Sequence, residues 1–212
     1  MLQVTEIFKS IQGESRFAGL PCTFVRLTGC NLRCTWCDTE YAFYGGTAMP
    51  LGDVVEKVEG NNLKVMEITG GEPLLQEEVY PLMQKMLDKG YTVLLETSGS
   101  ILLDRVPANV IKIMDLKTPG SGEACKNRLQ NLDYLNQNDE IKFVLQDRGD
   151  YEWASKMIRR FALQEKTNVL LSPVFEKLDL KKLAQWILED NLPVRMQTQL
   201  HKHIWGKDVI GV

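Results

Sequence analysis

The sequence predicts an α/β fold around a parallel sheet, and two observations support this. Short apolar, β-branched runs alternate with segments of helical periodicity, as in successive βαβ units. The chain has 212 residues, 44% of them hydrophobic and 25% charged, which is ordinary for a globular domain. Since a complete eight-stranded α/β barrel takes about 250 residues, we expect one domain over residues 1–212 that forms an incomplete (β/α)6-type barrel with trimmed helices.

The predicted strands are short runs of aliphatic and β-branched residues bounded by polar or glycine-containing segments. An N-terminal extension begins with a strand over Val4–Phe8. The following strands are expected at Cys22–Leu27, Val65–Thr69, Thr92–Glu96, Val110–Asp115, Glu140–Leu145, Val169–Ser172 and Val194–Gln197.

The predicted helices lie between these strands and carry apolar residues at helical spacing. Gly60 and Gly90 are placed as C-terminal stops, and Asp150 and Asp179 as N-caps. The segments are Leu51–Glu59, Glu77–Lys89, Ala124–Asn136, Tyr151–Ala162 and Leu180–Glu189. The polar stretch Pro119–Glu123 is interpreted either as a solvated loop or as a lid over a site.

Charge and cysteine content narrow the classes of partner and compartment. The net charge is -3 and no basic tract is present, so we expect no nucleic-acid surface and favour small-molecule partners. The five cysteines argue against a disulfide framework and for a reducing, cytoplasmic compartment. The first twelve residues lack a secretory pattern, and no apolar run reaches the roughly 18 residues of a membrane span.

Three of the five cysteines fall within eight residues, at Cys30, Cys34 and Cys37, directly after a predicted strand. A structural zinc site would need a fourth ligand, and a Cys34/Cys37 dithiol would leave Cys30 unexplained. A four-iron cluster held by three thiolates, with one iron open to a ligand, fits this spacing best. Cys22 and Cys125 are expected to be inert packing residues in a strand and a helix.

Polar or glycine-containing segments follow several predicted strands. Gly70 and Gly71 end one strand, where they make either a tight turn or a close backbone approach to a ligand. Other such ends are Glu96–Gly99, Asp115–Lys117 and Ser172–Pro173. Because the carboxyl ends of parallel strands bind ligands in such folds, together they predict a site at one rim.

The C-x3-C-x2-C spacing, with Trp36 before the last cysteine, resembles the radical S-adenosylmethionine superfamily. The resemblance implies a 4Fe-4S cluster whose open iron binds S-adenosylmethionine, and reductive cleavage that yields a radical able to abstract hydrogen from the substrate. The segment Gly-Gly-Glu-Pro from Gly70 resembles the second motif of that superfamily, which contacts the cofactor.

Further motifs narrow the resemblance to one family. The stretches Ile11–Glu14, Phe24–Thr39, Thr69–Pro73, Glu96–Gly99 and Gln199–Lys202 together resemble the 7-carboxy-7-deazaguanine synthases over nearly the whole chain. This resemblance implies conversion of 6-carboxy-5,6,7,8-tetrahydropterin to 7-carboxy-7-deazaguanine with loss of ammonia, in queuosine biosynthesis. It also implies a homodimer and an electron donor such as flavodoxin or ferredoxin.

The family resemblance also implies a role for each matching residue. Cys30, Cys34 and Cys37 would hold the cluster, and Thr39 would bind Mg2+. The residues implied for S-adenosylmethionine are Gly71, Ser98, Asp115, Leu116, Lys117 and Ser172. Those implied for the substrate are Ile11, Gln12, Gly13, Glu14, Arg26, Thr69 and His201.

The sequence departs from the family pattern at Ser15, where a glycine is usual, and this puts the shape of that turn in question. No role is predicted for the segment after His201.

Two other functions stay open at this point. One is an activase that places a glycyl radical on another protein with the same cluster, and the other is a non-catalytic zinc-binding module.

Overall fold

Nine strands form one continuous open sheet, as described by a computed structural model of residues 1–212. The strands are β1 (Leu2–Ile11), β2 (Pro21–Leu27), β3 (Thr47–Met49), β4 (Val65–Gly70), β5 (Thr92–Thr97), β6 (Ile111–Asp115), β7 (Glu140–Leu145), β8 (Asn168–Pro173) and β9 (Arg195–Met196). Their order is β3-β1-β2-β4-β5-β6-β7-β8-β9. From β2 to β9 all pairs are parallel, whereas β1 is antiparallel to β2 and to β3.

This topology confirms the predicted incomplete barrel with an N-terminal extension. Six parallel strands, β2 and β4 to β8, have five or more residues each, and β9 has only two. The predicted strand over Val4–Phe8 exists but is longer, because it pairs with β2 along most of its length. The strand β3 was not predicted, since three residues carry too little periodicity.

The helices are short, in agreement with the prediction of trimmed helices, and some connections between parallel strands contain only 3-10 segments. They are α1 (Leu51–Gly60), α2 (Val79–Asp88), α3 (Arg148–Phe161), α4 (Leu163–Lys166), α5 (Leu180–Glu189) and α6 (Leu200–Trp205). The N-cap of α3 is Asp147, which accepts a hydrogen bond from the Asp150 N–H, so the prediction of Asp150 was one turn late. Asp179 caps α5 as predicted.

The predicted helix over Ala124–Asn136 is wrong. The segment forms two 3-10 stretches, Ala124–Lys126 and Leu129–Tyr134. Asn131 explains the difference, because its side-chain amide donates to the carbonyls of Gly99 and Ile101 at 2.9 and 2.8 Å. Side chains that bond a neighbouring loop in this way compete with regular helix formation.

In β4 and β7, apolar residues of the core alternate with polar or charged residues. On β4, Met66 and Ile68 enter the hydrophobic core formed with the helices, and on β7 Ile141 and Phe143 do the same. The alternate residues of both strands point to the concave side of the sheet, since side chains alternate along a strand. A polar concave face is therefore built into the open barrel.

Two local predictions can be compared with the structure. Cys22 is buried in β2 as expected, but Cys125 is exposed in a 3-10 segment and is not a packing residue. Residues Pro119–Glu123 are anchored: Thr35 donates to the carbonyls of Gly120 and Ser121 from its hydroxyl and backbone N–H at 2.8 and 3.1 Å. No helix in the structure is long and apolar enough to span a membrane.

Candidate active site

A cleft of about 730 Å3 lies at the carboxyl ends of the parallel strands, on the concave side of the sheet. Most of the predicted site residues border it, although they are scattered over nearly two hundred positions of the chain. These are Ile11, Gln12, Gly13, Glu14, Arg26, Cys30, Cys34, Cys37, Thr39, Thr69, Gly71, Ser98, Asp115, Lys117 and His201.

Leu116 and Ser172 do not border the cleft, in contrast to the prediction. Leu116 is fully buried, its side chain lies in the hydrophobic core, and its N–H donates to the carbonyl of Lys142 at 2.9 Å. Ser172 is 2% exposed within β8. Leu116 follows the cleft residue Asp115, and alternation directs its side chain to the opposite side, into the core. Ser172 follows the core residue Leu171, so its side chain faces the other side of the sheet, where it is buried.

The glycine pair after β4 determines the position of the cysteine loop. A Cβ at Gly71 would lie 2.6 Å from Cys30 Cβ and 2.7 Å from the carbonyl carbon of Gly29. The adjacent Gly70 has a φ of +150°, and a Cβ there would meet the backbone N of Leu27 at 2.8 Å. Gly71 is therefore required by the close approach of Gly29–Cys30, and Gly70 by the close approach of Leu27 at the end of β2.

The three thiols share an environment that suits a metal cluster. Cys30, Cys34 and Cys37 are partly buried at the cleft and none forms a disulfide. Burial raises the pKa of each thiol, while the nearby ammonium group of Lys117 acts in the opposite direction on all three. Thiolates at this position need a positive partner, which a cluster supplies. The residues present thus fit a three-cysteine cluster.

The rim beside the cysteine loop offers groups for a polar cofactor. Buried Glu72 accepts hydrogen bonds from Ser98 N–H at 2.8 Å and from Thr97 Oγ1 at 2.9 Å, which locks the ends of β4 and β5 together. Asp115 Oδ2 binds Lys117 Nζ at 2.7 Å, but Asp115 Oδ1 is buried and has no hydrogen-bond partner. Since buried polar atoms are normally satisfied, this oxygen fits a donor on a bound ligand.

Arg26 extends from β2 into the cleft between two aromatic rings. Its guanidinium carbon lies 5.9 Å from the centroid of Phe8 and 5.7 Å from that of Tyr41. Glu6 accepts from Arg26 Nε at 2.7 Å, and no side chain accepts from the two terminal nitrogens. Although burial alone would lower it, the pKa of Arg26 is raised by Tyr41 and Glu6, so the group is a permanent cation. Its free edge can bind a carboxylate in bidentate fashion.

The segment Gln12–Ser15 contacts the first residues of α6, the last helix of the chain. Leu200 N–H donates to the carbonyl of Gly13 at 2.9 Å, and a Cβ at Gly13 would lie 3.0 Å from His201 Cγ. Burial lowers the pKa of His201, so the imidazole is neutral at neutral pH despite the nearby carboxylate of Glu14. Ser15 has a φ of +64°, so the turn keeps the left-handed backbone that the usual glycine would provide.

Several charged residues of the cleft were not among the site residues that the family resemblance implied, and three of them lie on the parallel strands. Glu67 on β4, Glu96 on β5 and Lys142 on β7 all border the cleft. Of these three, Glu96 was expected only as part of a strand end at the rim. Lys142 donates to both Glu14 and Glu96, and Gln12 donates to Glu67. A sequence signal existed for two of them, because Glu67 and Lys142 each stand between apolar core residues of a strand, in Met66-Glu67-Ile68 and Ile141-Lys142-Phe143. Because successive side chains of a strand point to opposite faces, a charge between two core residues points to the face away from the core.

Two further groups complete the lining. The Thr39 hydroxyl donates to Asp38 Oδ1 at 2.9 Å, and Lys202 Nζ binds the other oxygen of that carboxylate at 2.6 Å. Residues 207–212, for which no role was predicted, also border the cleft. Lys207 pairs with Glu176 Oε2 at 2.6 Å.

Comparison with known proteins identifies the family. A family model described as the Radical SAM superfamily matches residues 24–116. The chain is 48% identical to a 7-carboxy-7-deazaguanine synthase of Koribacter versatilis, with all of both chains covered. It is 45% identical to one of Chlorobaculum tepidum, over all of this chain and 97% of the relative. The chain belongs to the 7-carboxy-7-deazaguanine synthase family.

Membership of this family makes the protein a radical S-adenosylmethionine enzyme, which uses a 4Fe-4S cluster and S-adenosylmethionine. The fold agrees with that of a solved relative, QueE from Escherichia coli, with a TM-score of 0.79 at 24% identity over 94% of each chain. It also resembles SuiB of Streptococcus suis, with a TM-score of 0.60 at 14% identity over 81% of this chain. No observation favours the zinc-module or activase alternatives.

Proposed function

We propose that the protein converts 6-carboxy-5,6,7,8-tetrahydropterin to 7-carboxy-7-deazaguanine and ammonia. The observation that carries this proposal is the shared cleft of Cys30, Cys34 and Cys37 with Arg26 and the carboxylates of the concave face. A ligand in this cleft meets a cysteine loop on one side and both positive and negative hydrogen-bonding groups on the other. A carboxylated, N–H-rich heterocycle matches that combination.

The chain's own residues divide into those that would hold cofactors and those that would hold the substrate. Cys30, Cys34 and Cys37 would bind the cluster, and Gly71, Ser98, Asp115 and Lys117 would line S-adenosylmethionine. When bound, the cluster and S-adenosylmethionine supply the chemistry: reductive cleavage of S-adenosylmethionine, which gives a carbon-centred radical. Asp115 Oδ1 would accept from a donor of the cofactor, because it is buried without another partner.

Arg26 would bind the substrate carboxylate through its two unoccupied terminal nitrogens. Ile11, Gln12, Gly13, Glu14, Thr69 and His201 would surround the heterocycle, and all of them border the cleft. Thr39 would offer its hydroxyl oxygen to a Mg2+ ion that also binds the substrate, since hard oxygen donors and waters suit that cation. The enclosed, polar lining would orient the substrate and exclude bulk water.

The decisive experiment is anaerobic reconstitution with iron and sulfide, followed by reaction with a reductant, S-adenosylmethionine, Mg2+ and the tetrahydropterin. We expect about four irons per chain and formation of the deazaguanine product, detected by mass spectrometry, together with ammonia. Cleavage of S-adenosylmethionine without consumption of the tetrahydropterin would overturn the substrate assignment but not the superfamily. Omission of Mg2+ tests the role of Thr39, because product formation should fall.

The family resemblance supports three further proposals about the setting of the reaction. We expect a homodimer, which light scattering would measure. A ferredoxin or flavodoxin would supply the electron, and replacing dithionite by either protein tests this. Because the cluster thiolates must stay reduced, we expect the protein to work in the cytoplasm.

A further inference from the structure

Four ionisable side chains lie close together in the cleft and are here called the interior charge cluster. Its members are Glu14, Glu67, Glu96 and Lys142. They come from four different segments of the chain and include three carboxylates but one ammonium group. Such an arrangement has an energetic cost, since buried charges must be paired to be tolerated.

Lys142 is the cation that connects this cluster. Its side chain is only 5% exposed, and its Nζ lies 2.8 Å from Glu14 Oε2 and also binds Glu96 Oε1. Burial alone would lower the pKa of Lys142, but Glu14 and Glu96 hold it well above the ordinary lysine value. The group is therefore charged throughout the working range of the protein.

Other hydrogen bonds orient the two carboxylates that Lys142 binds, Glu14 and Glu96. Glu14 also accepts from Gln199 Nε2 at 2.9 Å and from Gln197 Nε2 at 3.2 Å. Glu96 accepts from Thr69 Oγ1 at 3.3 Å, and 31% of its side chain stays exposed. Since Glu96 borders the cleft, this exposed part is accessible to a ligand.

The pKa of the third carboxyl group, Glu67, is shifted in the opposite direction to that of Glu96. Glu67 is 3% exposed, and burial together with the nearby Glu96 raises its pKa well above the ordinary value. Lys142 lowers the pKa of Glu96 against the opposing effect of burial. The ammonium group thus favours the ionised form of Glu96, although burial by itself would favour the protonated form.

We infer that Lys142 is a positioning residue for the substrate: by binding Glu14 and Glu96 together, it holds both carboxyl groups as hydrogen-bond acceptors directed towards N–H groups of a pterin ring. This inference rests on the proposed function, because it takes a pterin as the ligand. The aminopyrimidinone edge of a pterin presents adjacent N–H donors, and an ionised carboxylate is the planar acceptor that matches them. Arg26 would bind the carboxylate of the same ligand.

The test compares holoenzymes with cluster and S-adenosylmethionine bound, using pterin-6-carboxylate as a fluorescent, unreactive ligand. We expect Lys142→Met to raise its Kd about 10- to 100-fold, because the carboxylates lose their common partner. During turnover of the tetrahydropterin, the same variant should form more 5'-deoxyadenosine per molecule of product. Affinity for S-adenosylmethionine and iron content should stay unchanged. Lys142→Arg should recover part of the loss.

Lys112→Met is the matched control. Lys112 is also buried, at 3% exposure, and pairs with Asp139 at 3.1 Å, but this pair lies near the amino ends of the strands and away from the cleft. We expect this variant to unfold at lower temperature while its Kd for the pterin stays that of the wild type. Should Lys142→Met fail to fold, Lys142→Gln, which keeps donor groups without the charge, is expected to show the same rise in Kd.

Several outcomes would overturn the inference. An unchanged Kd and an unchanged ratio of 5'-deoxyadenosine to product in the Lys142 variants would exclude a positioning role. An equal rise in Kd for Lys112→Met would mean that loss of any buried pair disturbs binding. Failure of the proposed function is a separate result, because in that case the wild-type enzyme itself would neither bind the pterin nor convert the tetrahydropterin.

Discussion

Replacement of Gly71 by alanine would test how the sheet positions the cysteine loop. The new Cβ would lie 2.6 Å from Cys30 Cβ, whereas carbon atoms in contact are about 3.5–4.0 Å apart. Relief of this overlap requires a movement of about 1 Å, and the Gly29–Cys30 backbone must make part of it. Overpacking of this kind costs about 1–3 kcal/mol. If this overlap destabilises the cysteine-loop conformation that binds the cluster by that amount, the affinity for the cluster falls about 5- to 140-fold.

The assay is iron and sulfide content after anaerobic reconstitution, with thermal unfolding of the same samples. Gly52→Ala is the control, because Gly52 lies in α1 and a Cβ there would meet no atom within 4 Å. We expect wild-type iron content in the control and a clear loss of iron in Gly71→Ala. Full iron content in Gly71→Ala, with wild-type affinity for S-adenosylmethionine, would refute the proposed dependence of the cysteine loop on this contact.

Three other predictions follow from the same structure. Arg26→Lys should raise the Kd for pterin-6-carboxylate about 10- to 100-fold, because lysine cannot bind a carboxylate in bidentate fashion. The control variant Arg105→Lys, on the surface, should leave this Kd unchanged, and an equal rise in both variants would contradict the prediction. The pKa of Glu67 is raised, so the folded state retains a proton that the unfolded state has lost. Wild-type stability should therefore fall by up to about 1.4 kcal/mol per pH unit above the ordinary glutamate pKa, and urea titrations of Glu67→Gln should lack that slope. Ser15→Ala should lower the free energy of unfolding by about 1 kcal/mol, because the Phe17 N–H loses its acceptor. Ser15→Gly should lower it less, because glycine adopts the φ of +64° without strain, and the reverse order of the two variants would contradict this.

The fold could be predicted from the sequence because its signals are local. Short runs of aliphatic and β-branched residues identified every long parallel strand, and Asp179 correctly marked the start of α5. The helix expected over Ala124–Asn136 failed for a non-local reason, since Asn131 bonds a loop thirty residues earlier in the chain. Propensity within the segment contains no information about that partner.

The sequence correctly predicted those site residues that stand in recognisable motifs. The three cysteines, Arg26 and Asp115 all border the cleft. Leu116 was placed there by its neighbours in the motif, but strand alternation directs its side chain into the core. Lys142 was missed because a single charge inside an apolar strand belongs to no motif, and its meaning depends on which carboxylates the fold brings to it.

The sequence by itself determined the fold class, the cluster chemistry and the family, because each depends on residue types at fixed spacing along the chain. Only the tertiary structure decided which charges share one buried space. Glu14 and Lys142 are separated by 128 positions, yet their side chains form an ion pair at 2.8 Å. The strength and protonation of such a pair depend on distance and burial, and neither quantity exists until the strands are assembled.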